Sequence, residues 1–298
     1  MVIGGMKPPP FAYVAPRSLD EALALLARHG DDAKVLAGGQ SLVPALNLRM
    51  MAPAVLVDIN RVPELGGILQ TGAEITLGAL TRHRQLERDP AIARAVPMLA
   101  SAAPHIAHLP IRSRGTMGGS LSHADPAAEL AAVCLACDAT MVLRGPGGER
   151  EVPAAQFNLG VFTTALAPGE LLVAIRFPAW PATRPHGFQE VARRHGDFAI
   201  CGAAVTVDLQ PDGRCGDARI VIFGAADRPL LRPDAAAALQ GQTPTLSLLR
   251  EVAELAAEGL DPASDLHASA DYRRRVAPSL VRRALAQALT IEDRRQAA

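Results

Sequence analysis

Apolar positions in the first sixty residues alternate between helical and strand spacing. Ser18-Leu-Asp-Glu21 forms a capping box ahead of the helical stripe Leu19, Ala22, Leu23 and Leu26. Lys34-Val-Leu-Ala37 and Val55-Leu-Val-Asp-Ile59 are short apolar runs that read as buried strands, with Phe11–Pro16 a further extended piece and Leu42–Met50 a second helix. Strand, helix, strand, helix, strand predicts a small parallel sheet. After Leu65 the period changes. Glu74-Ile-Thr-Leu-Gly78 alternates like a strand, Thr81 is placed to cap a helix through Arg88, and Ala91–Ala103 reads as helix. Ala139–Leu143 and Glu151-Val152 predict a hairpin about Gly145–Gly148, and Leu171–Phe177 is a further strand.

The segment Phe177-Pro-Ala-Trp-Pro-Ala-Thr-Arg-Pro185 denies both helix and ladder donors and predicts a domain boundary. Beyond it come strand-like runs at 187–191, 203–209 and 218–223, then helical runs at 230–239, 246–260 and 270–289. The last carries Arg273, Arg274, Arg275, Arg282 and Arg283 on what reads as a solvated face. The expected fold is α+β. A first domain, 1–178, combines a small parallel β-α-β part (about 1–60) with a mixed antiparallel part (61–178). A C-terminal domain, 186–298, combines a three-stranded sheet with a helix bundle.

Composition narrows the chemistry. Lys plus Arg equals Asp plus Glu at 30 each in 298 residues, so no general polyanion-binding surface is expected. The start has no basic stretch followed by a long apolar one, and no later run is long enough to span a bilayer, so a cytoplasmic protein is expected. The four cysteines read as reduced core residues; Cys134 and Cys137 lie in an apolar helical run with no second pair nearby, which argues against an iron–sulfur or zinc site. His105, His108 and His123 flank one glycine-rich stretch, and loop histidines near a ligand are a commoner reading than a metal site. Neither G-x-G-x-x-G after a strand nor a G-x-x-x-x-G-K-[ST] loop is present, which excludes the usual dinucleotide and triphosphatase loops.

Two glycine motifs remain, Ala37-Gly-Gly-Gln-Ser-Leu42 and Arg114-Gly-Thr-Met-Gly-Gly-Ser120, each leading into a helical pattern. Glycine pairs let backbone amides approach a ligand, and Thr116, Ser120 and Ser122 add hydroxyls, an arrangement suited to phosphate. Asp125-Pro126 reads as the cap and first residue of the following helix, with Glu129 in its first turn. Taken alone, the second motif is equally a glycine turn before a capped helix.

Together the two motifs, with PPPFAYVAPRSLDEAL, PIRSRGTMGG, GELLVAIRFP, VARRHGDFAICGAAV and ASADYRRRVAPSLVRRAL in order, resemble the FAD-binding medium subunit of the molybdenum hydroxylases, the xanthine dehydrogenase and aerobic carbon monoxide dehydrogenase family. The resemblance implies a two-subdomain FAD-binding region before the C-terminal domain. It implies that the FAD pyrophosphate is held by Leu36, Ala37, Gly38, Gly39, Gln40, Ser41 and Leu42 in the first loop. In the second, Thr116, Gly118, Gly119 and Ser120 share that role. Glu129 matches an acidic residue, usually Asp, at the sugar end of the cofactor, and Ser120 stands where many members have Asn. Leu172 matches a position whose backbone lies beside the flavin ring.

Phe198 matches a side chain that covers one face of the ring in some members; packing between domains is the other reading of that residue. A lysine found in many members near Gln189 or Glu190 is missing. No catalytic acid, base or nucleophile is implied, because the flavin performs the redox step. The implied partners are a small subunit with [2Fe–2S] clusters and a large molybdenum-cofactor subunit, assembled as a dimer of heterotrimers and passing electrons to an external acceptor. Competing readings are a self-standing FAD-dependent oxidase and a non-enzymatic nucleotide-binding module. Neither the substrate of the complex nor the final acceptor is written in the sequence.

Overall fold

The computed structural model describes residues 7–291 except 73, 182 and 183, so Ala182 and Thr183 of the Pro-rich segment and the end of the C-terminal part lie outside the described residues. The chain opens with β1 (Ala12–Val14), α1 (Leu19–His29), β2 (Ala33–Leu36), α2 (Leu42–Asn47) and β3 (Val55–Asp58). Ser18 caps α1 by accepting from the Glu21 amide at 3.2 Å, as the capping box predicts. The three strands pair in parallel in the order β1-β3-β2, as their βαβ spacing requires.

Then follow β4 (Ile68–Gln70), β5 (Glu74–Gly78), α3 (His83–Arg88), α4 (Pro90–Ala95), α5 (Pro97–Ala102), α6 (Leu109–Arg112), α7 (Met117–His123) and α8 (Glu129–Ala136). Next are β6 (Thr140–Gly145), β7 (Gly148–Pro153), α9 (Ala154–Phe157), β8 (Asn158–Gly160), β9 (Thr163–Thr164) and β10 (Leu171–Pro178). An antiparallel sheet runs β4-β5-β10-β6-β7. One face, with Val142, Leu171 and Val173, packs with α1 and β3; the other, with Leu77, Met141, Leu143 and Ile175, packs with α5 and α8.

Beyond the Pro-rich segment lie β11 (His186–Val191), β12 (Cys201–Leu209), β13 (Cys215–Phe223), β14 (Leu230–Leu231), α10 (Pro233–Leu239), α11 (Leu246–Ala257) and α12 (Ala270–Ala288). The sheet is buried on both faces. Cys201, Ala203, Val205, Ile220 and Ile222 point to α10–α12, whereas Ala204, Val221 and Phe223 join the core around α5 and α8. Thr206 and Arg219 also donate to the carbonyls of Ala136 and Leu135 on α8, at 3.4 and 3.0 Å. The two halves of the chain therefore share one core across the Pro-rich segment. Among the described residues no helix is long and apolar enough to cross a membrane.

Five local expectations change. Thr81 does not cap α3: it is tied to α7 through Met117 N–H···O=C Thr81 at 2.8 Å, and Arg82 precedes the helix instead. Pro97 splits the run 91–103 into α4 and α5 by forcing Val96 out of helical geometry. Leu230-Leu231 adds a fourth strand to the C-terminal sheet, and α10 starts only at Pro233. Asp125 caps only a turn, accepting from the Ala127 amide at 2.9 Å; left-handed Ala124 ends α7 and α8 starts at Glu129. Arg273 is not on a solvated face: it is buried, donating to the Ile200 and Gly224 carbonyls and to Asp265.

Candidate functional site

The first glycine motif runs from the end of β2 into α2. Gly39 holds φ at +72°, a conformation that β-carbons penalise, and Gln40 folds back so that its side-chain amide donates to the Gly38 carbonyl at 2.8 Å. Among the described residues the backbone amides of Gly39, Gln40, Ser41 and Leu42 donate to no protein group. They border a cleft of about 360 Å³ lined by Leu36, Ala37, Gly38, Gly39, Gln40, Val43, Pro44, Asp58, Asn60 and Arg114. Clustered amides without partners, beside an arginine with no ion-pair partner among the described residues, suit an anion such as a diphosphate.

The second motif is built differently from the loop the sequence predicts. Its glycine pair lies inside α7, behind Thr116, whose hydroxyl caps the helix by accepting from the Gly119 amide at 3.1 Å. The amides of Met117 and Gly118 bond to the Thr81 and Ala79 carbonyls, each at 2.8 Å, and that of Ser120 to the Thr116 carbonyl at 3.0 Å. These amides are therefore spent within the chain and form no open cradle. A β-carbon on Gly118 would lie 2.5 Å from that of Ala79, so this glycine lets α7 sit on the end of β5. One on Gly119 would lie 2.7 Å from the Thr116 hydroxyl and 3.8 Å from the Ala37 β-carbon, which places the two motifs side by side. The Ser120 hydroxyl has no protein partner among the described residues.

A polar strut sets the spacing of the two motifs. The Asn60 amide donates to the Ala37 carbonyl at 2.7 Å and to Asp58 at 2.6 Å; its oxygen accepts from Arg82 at 2.6 Å, and Arg82 also donates to the Arg114 carbonyl. Below them the buried His83 ring supports Gly115 and donates from Nε2 to the Thr116 carbonyl at 3.0 Å. Burial drives the imidazole pKa down to about 4, so the ring is neutral, with its proton on Nε2. Neither Asn60 nor Arg82 carries a sequence signal, since the bonds that span the two motifs, to each other and to the Ala37 and Arg114 carbonyls, join groups distant in sequence. Replacing Asn60 by alanine frees the Ala37 carbonyl and leaves Arg82 only its bond to the Arg114 carbonyl. Affinity for the anionic ligand of the cleft should fall by about tenfold, the size of one or two lost hydrogen bonds, while the far-ultraviolet circular dichroism stays that of the wild type.

The remaining candidates lie away from the two glycine motifs. Glu129, the first residue of α8, is 5% exposed; burial and the neighbouring Glu190 push its carboxyl pKa up to about 8. Glu190, on β11, has a side chain 6% exposed, with Oε1 at 3.2 Å from His105 Nδ1 and Oε2 buried without a partner. His105 stacks on His195 and leans on Phe188. Gln189 instead reaches Gln287 of α12 at 2.9 Å. Leu172 is buried in the core, so its backbone alone is available to a ligand. Phe198 does not pack between domains: it is 60% exposed, on the loop from β11 to β12, where Gly196 seats against His108. His123 lies against Phe162. Cys134, in α8, and Cys137, just past its end, are buried with thiol pKa values raised by burial, and among the described residues no group of three or more His, Cys, Asp or Glu is placed to hold a metal ion.

Residues 9–180 match the family model for the FAD binding domain in molybdopterin dehydrogenase, and residues 186–288 that for the CO dehydrogenase flavoprotein C-terminal domain. The 6-hydroxypseudooxynicotine dehydrogenase complex subunit alpha of Paenarthrobacter nicotinovorans is 46% identical over 284 residues, 95% of this chain and 96% of that one. The carbon monoxide dehydrogenase medium chain of Hydrogenophaga pseudoflava is 39% identical over 280 residues, 94% and 97% of the two chains. A solved structure of carbon monoxide dehydrogenase from Hydrogenophaga pseudoflava superimposes with a TM-score of 0.93 at 41% identity, covering 95% of this chain and 98% of that one.

Proposed function

Because the chain belongs to the family of FAD-binding medium subunits of the molybdenum hydroxylases, an oxidoreductase family whose cofactor is FAD, we propose that it is the electron-transfer subunit of such a complex. In this reading it takes electrons from the [2Fe–2S] clusters of a small partner subunit and passes them to an external acceptor. A large partner subunit with a molybdenum cofactor oxidises the substrate, and the assembly is a dimer of heterotrimers. The observation that carries the reading is the row of amides from Gly39 to Leu42 with no protein partner, set beside α7 by the Asn60–Arg82 strut.

The residues present fit FAD. The amides of Gly39, Gln40, Ser41 and Leu42 would receive the pyrophosphate, with Leu36, Ala37 and Gly38 forming the wall of the cleft and Arg114 adding positive charge at its mouth. From the second motif the Ser120 hydroxyl would add a donor. Thr116, Gly118 and Gly119 would act by holding α7 close, and Glu129 would meet the sugar. Leu172 would offer its main chain to the ring system, and exposed Phe198 would cover one face of it. FAD held there supplies the redox chemistry, exchanging electrons singly or in pairs. The protein positions the group and shields it.

The reading makes the chain catalytically incomplete on its own. Purified chain loaded with FAD should bleach at the flavin absorbance bands with dithionite but with no organic substrate, and substrate-driven bleaching should require both partner subunits. Stoichiometric bleaching of the isolated chain by an alcohol, aldehyde or heteroaromatic compound would replace the subunit reading with that of a self-standing oxidase.

A further inference from the structure

Apolar side chains that stand in solvent are gathered at one end of the C-terminal sheet. In its antiparallel register Val191 pairs with Cys201 and Gly202 with Phe223, so the β11–β12 loop and the segment after β13 leave the sheet at the same end. Arg273 ties that end together: it donates to the Ile200 carbonyl, to that of Gly224 at 2.7 Å and to Asp265 at 2.6 Å, which brings in the loop before α12. The Gly224 amide donates to the Pro126 carbonyl at 3.0 Å. The β8–β9 hairpin is fixed beside it, through the Phe162 amide to the Ala124 carbonyl at 3.1 Å and Arg228 to the Leu159 carbonyl at 3.4 Å. The hairpin, the β11–β12 loop and the loop before α12 together expose Leu159, Val161, Phe162, Phe198 and Leu266.

This exposure is built into the backbone. Phe162 has φ at +51°, a conformation costly to a bulky residue, and is held there by its amide bond and by its ring against that of His123 at 4.8 Å. Leu266 is 96% exposed on a loop that Asp265 braces, accepting from the His267 and Ala268 amides at 2.8 and 2.9 Å as well as from Arg273. Apolar side chains fixed in water gain by burial and lose little freedom on binding. The rim is basic. Asp227, Asp261 and Asp265 are paired with Arg228, Arg274 and Arg273. Among the described residues of these loops, the exposed charges with no ion-pair partner are then Arg193 and Arg194 against Asp197.

We propose that this end of the chain is the docking face for the small [2Fe–2S] subunit; the proposal rests on the reading of the chain as the electron-transfer subunit. Two observations select that occupant. Phe198, which that reading sets against the flavin ring, lies on the face itself, so a partner seated here stands next to the group it must reduce. The basic rim suits it too. A [2Fe–2S] cluster held by four thiolates carries a net negative charge that grows on reduction, and carboxylates around it opposite Arg193 and Arg194 would fix the orientation of docking. The exposed Leu48 and Met50 lie instead just past α2, the helix that starts from the first glycine motif.

The test is calorimetric titration of the FAD-loaded full chain with the purified [2Fe–2S] subunit. Val161→Asp and Leu266→Asp should each weaken binding by about thirtyfold or more, the loss at an interface hot spot, with flavin content unchanged. Arg193→Glu combined with Arg194→Glu should weaken it too and remove most of the fall in affinity that added salt causes in wild type. Leu69→Asp, at an exposed position on β4, should bind as wild type. Wild-type affinity in both Val161→Asp and Leu266→Asp overturns the proposal, as does loss of binding in Met50→Asp in their place. Variants that keep the [2Fe–2S] subunit but lose the molybdenum subunit overturn it equally, because the face then takes the other partner. A wild-type chain that binds neither subunit overturns instead the electron-transfer reading beneath it.

Discussion

Valine at position 38 is expected to leave the chain folded and nearly free of flavin. A β-carbon on Gly38 would lie 2.5 Å from the Arg114 carbonyl oxygen and 2.8 Å from the Gly115 α-carbon, and both obstacles are main chain. Neither can rotate away, so the first glycine motif must withdraw from the second, and the Asn60–Arg82 strut that spans them breaks. Overpacking of this kind costs about 1–3 kcal/mol. Here it falls on the spacing of the cleft, so FAD occupancy after purification should drop to about a tenth of wild type or less. The comparison is Gly39→Val. That residue is strained at φ +72°, but its new β-carbon meets only the ends of Leu36 and Val43, at 3.2 and 3.3 Å. It should lose less flavin than Gly38→Val. Gly118→Val is a poorer probe, because contact with Ala79 at 2.5 Å disturbs the seat of α7 itself. Full flavin content in Gly38→Val would remove the two-motif cradle from consideration.

The largest loss of stability is expected at Gly187, in a strand that touches no candidate ligand. A β-carbon there would stand 1.9 Å from the Ala284 carbonyl oxygen of α12, a separation no side-chain adjustment relieves. For Gly187→Val the helix must lift from β11, exposing Ala277, Leu280, Val281, Ala284 and Leu285, all buried in the wild type. The cost should reach about 3 kcal/mol or more, against a total domain stability of about 5–15 kcal/mol. Because Phe188, Val221 and Phe223 belong to the core that also holds α5 and α8, both halves should unfold together. Urea denaturation followed by circular dichroism should therefore show one transition at a much lower midpoint. A wild-type midpoint would contradict the packing of α12 on β11; two separate transitions would contradict the shared core.

Much of the architecture is local and was legible. Periodicity places α1, β2, β3, the β6–β7 hairpin, β10 and the final helices, because hydrophobic spacing and caps such as Ser18 act within a few residues. The order of the first strands already required a parallel sheet. The two glycine motifs were recognisable as a pair, and with the accompanying segments they pointed to a flavin subunit.

What tertiary structure decided are the uses to which such residues are put. The Gly118 amide and α-carbon serve Ala79 rather than open space, because strand β5 ends where α7 begins, a juxtaposition of distant segments. Arg273 follows the spacing of exposed arginines yet is buried, since the Ile200 and Gly224 carbonyls, next to the ends of β12 and β13, and Asp265 replace its water. The proline-rich segment reads as a boundary, but alternate side chains of β12 and β13 face both halves, and alternation says nothing of what lies over each face. Likewise, the meeting of His105, Glu129 and Glu190 depends on how an interhelical turn, a helix start and a strand are brought together. The sequence by itself determined the family and most of the elements; three-dimensional packing decided which amides stay free and which charges are buried, because those depend on desolvation by groups far apart along the chain.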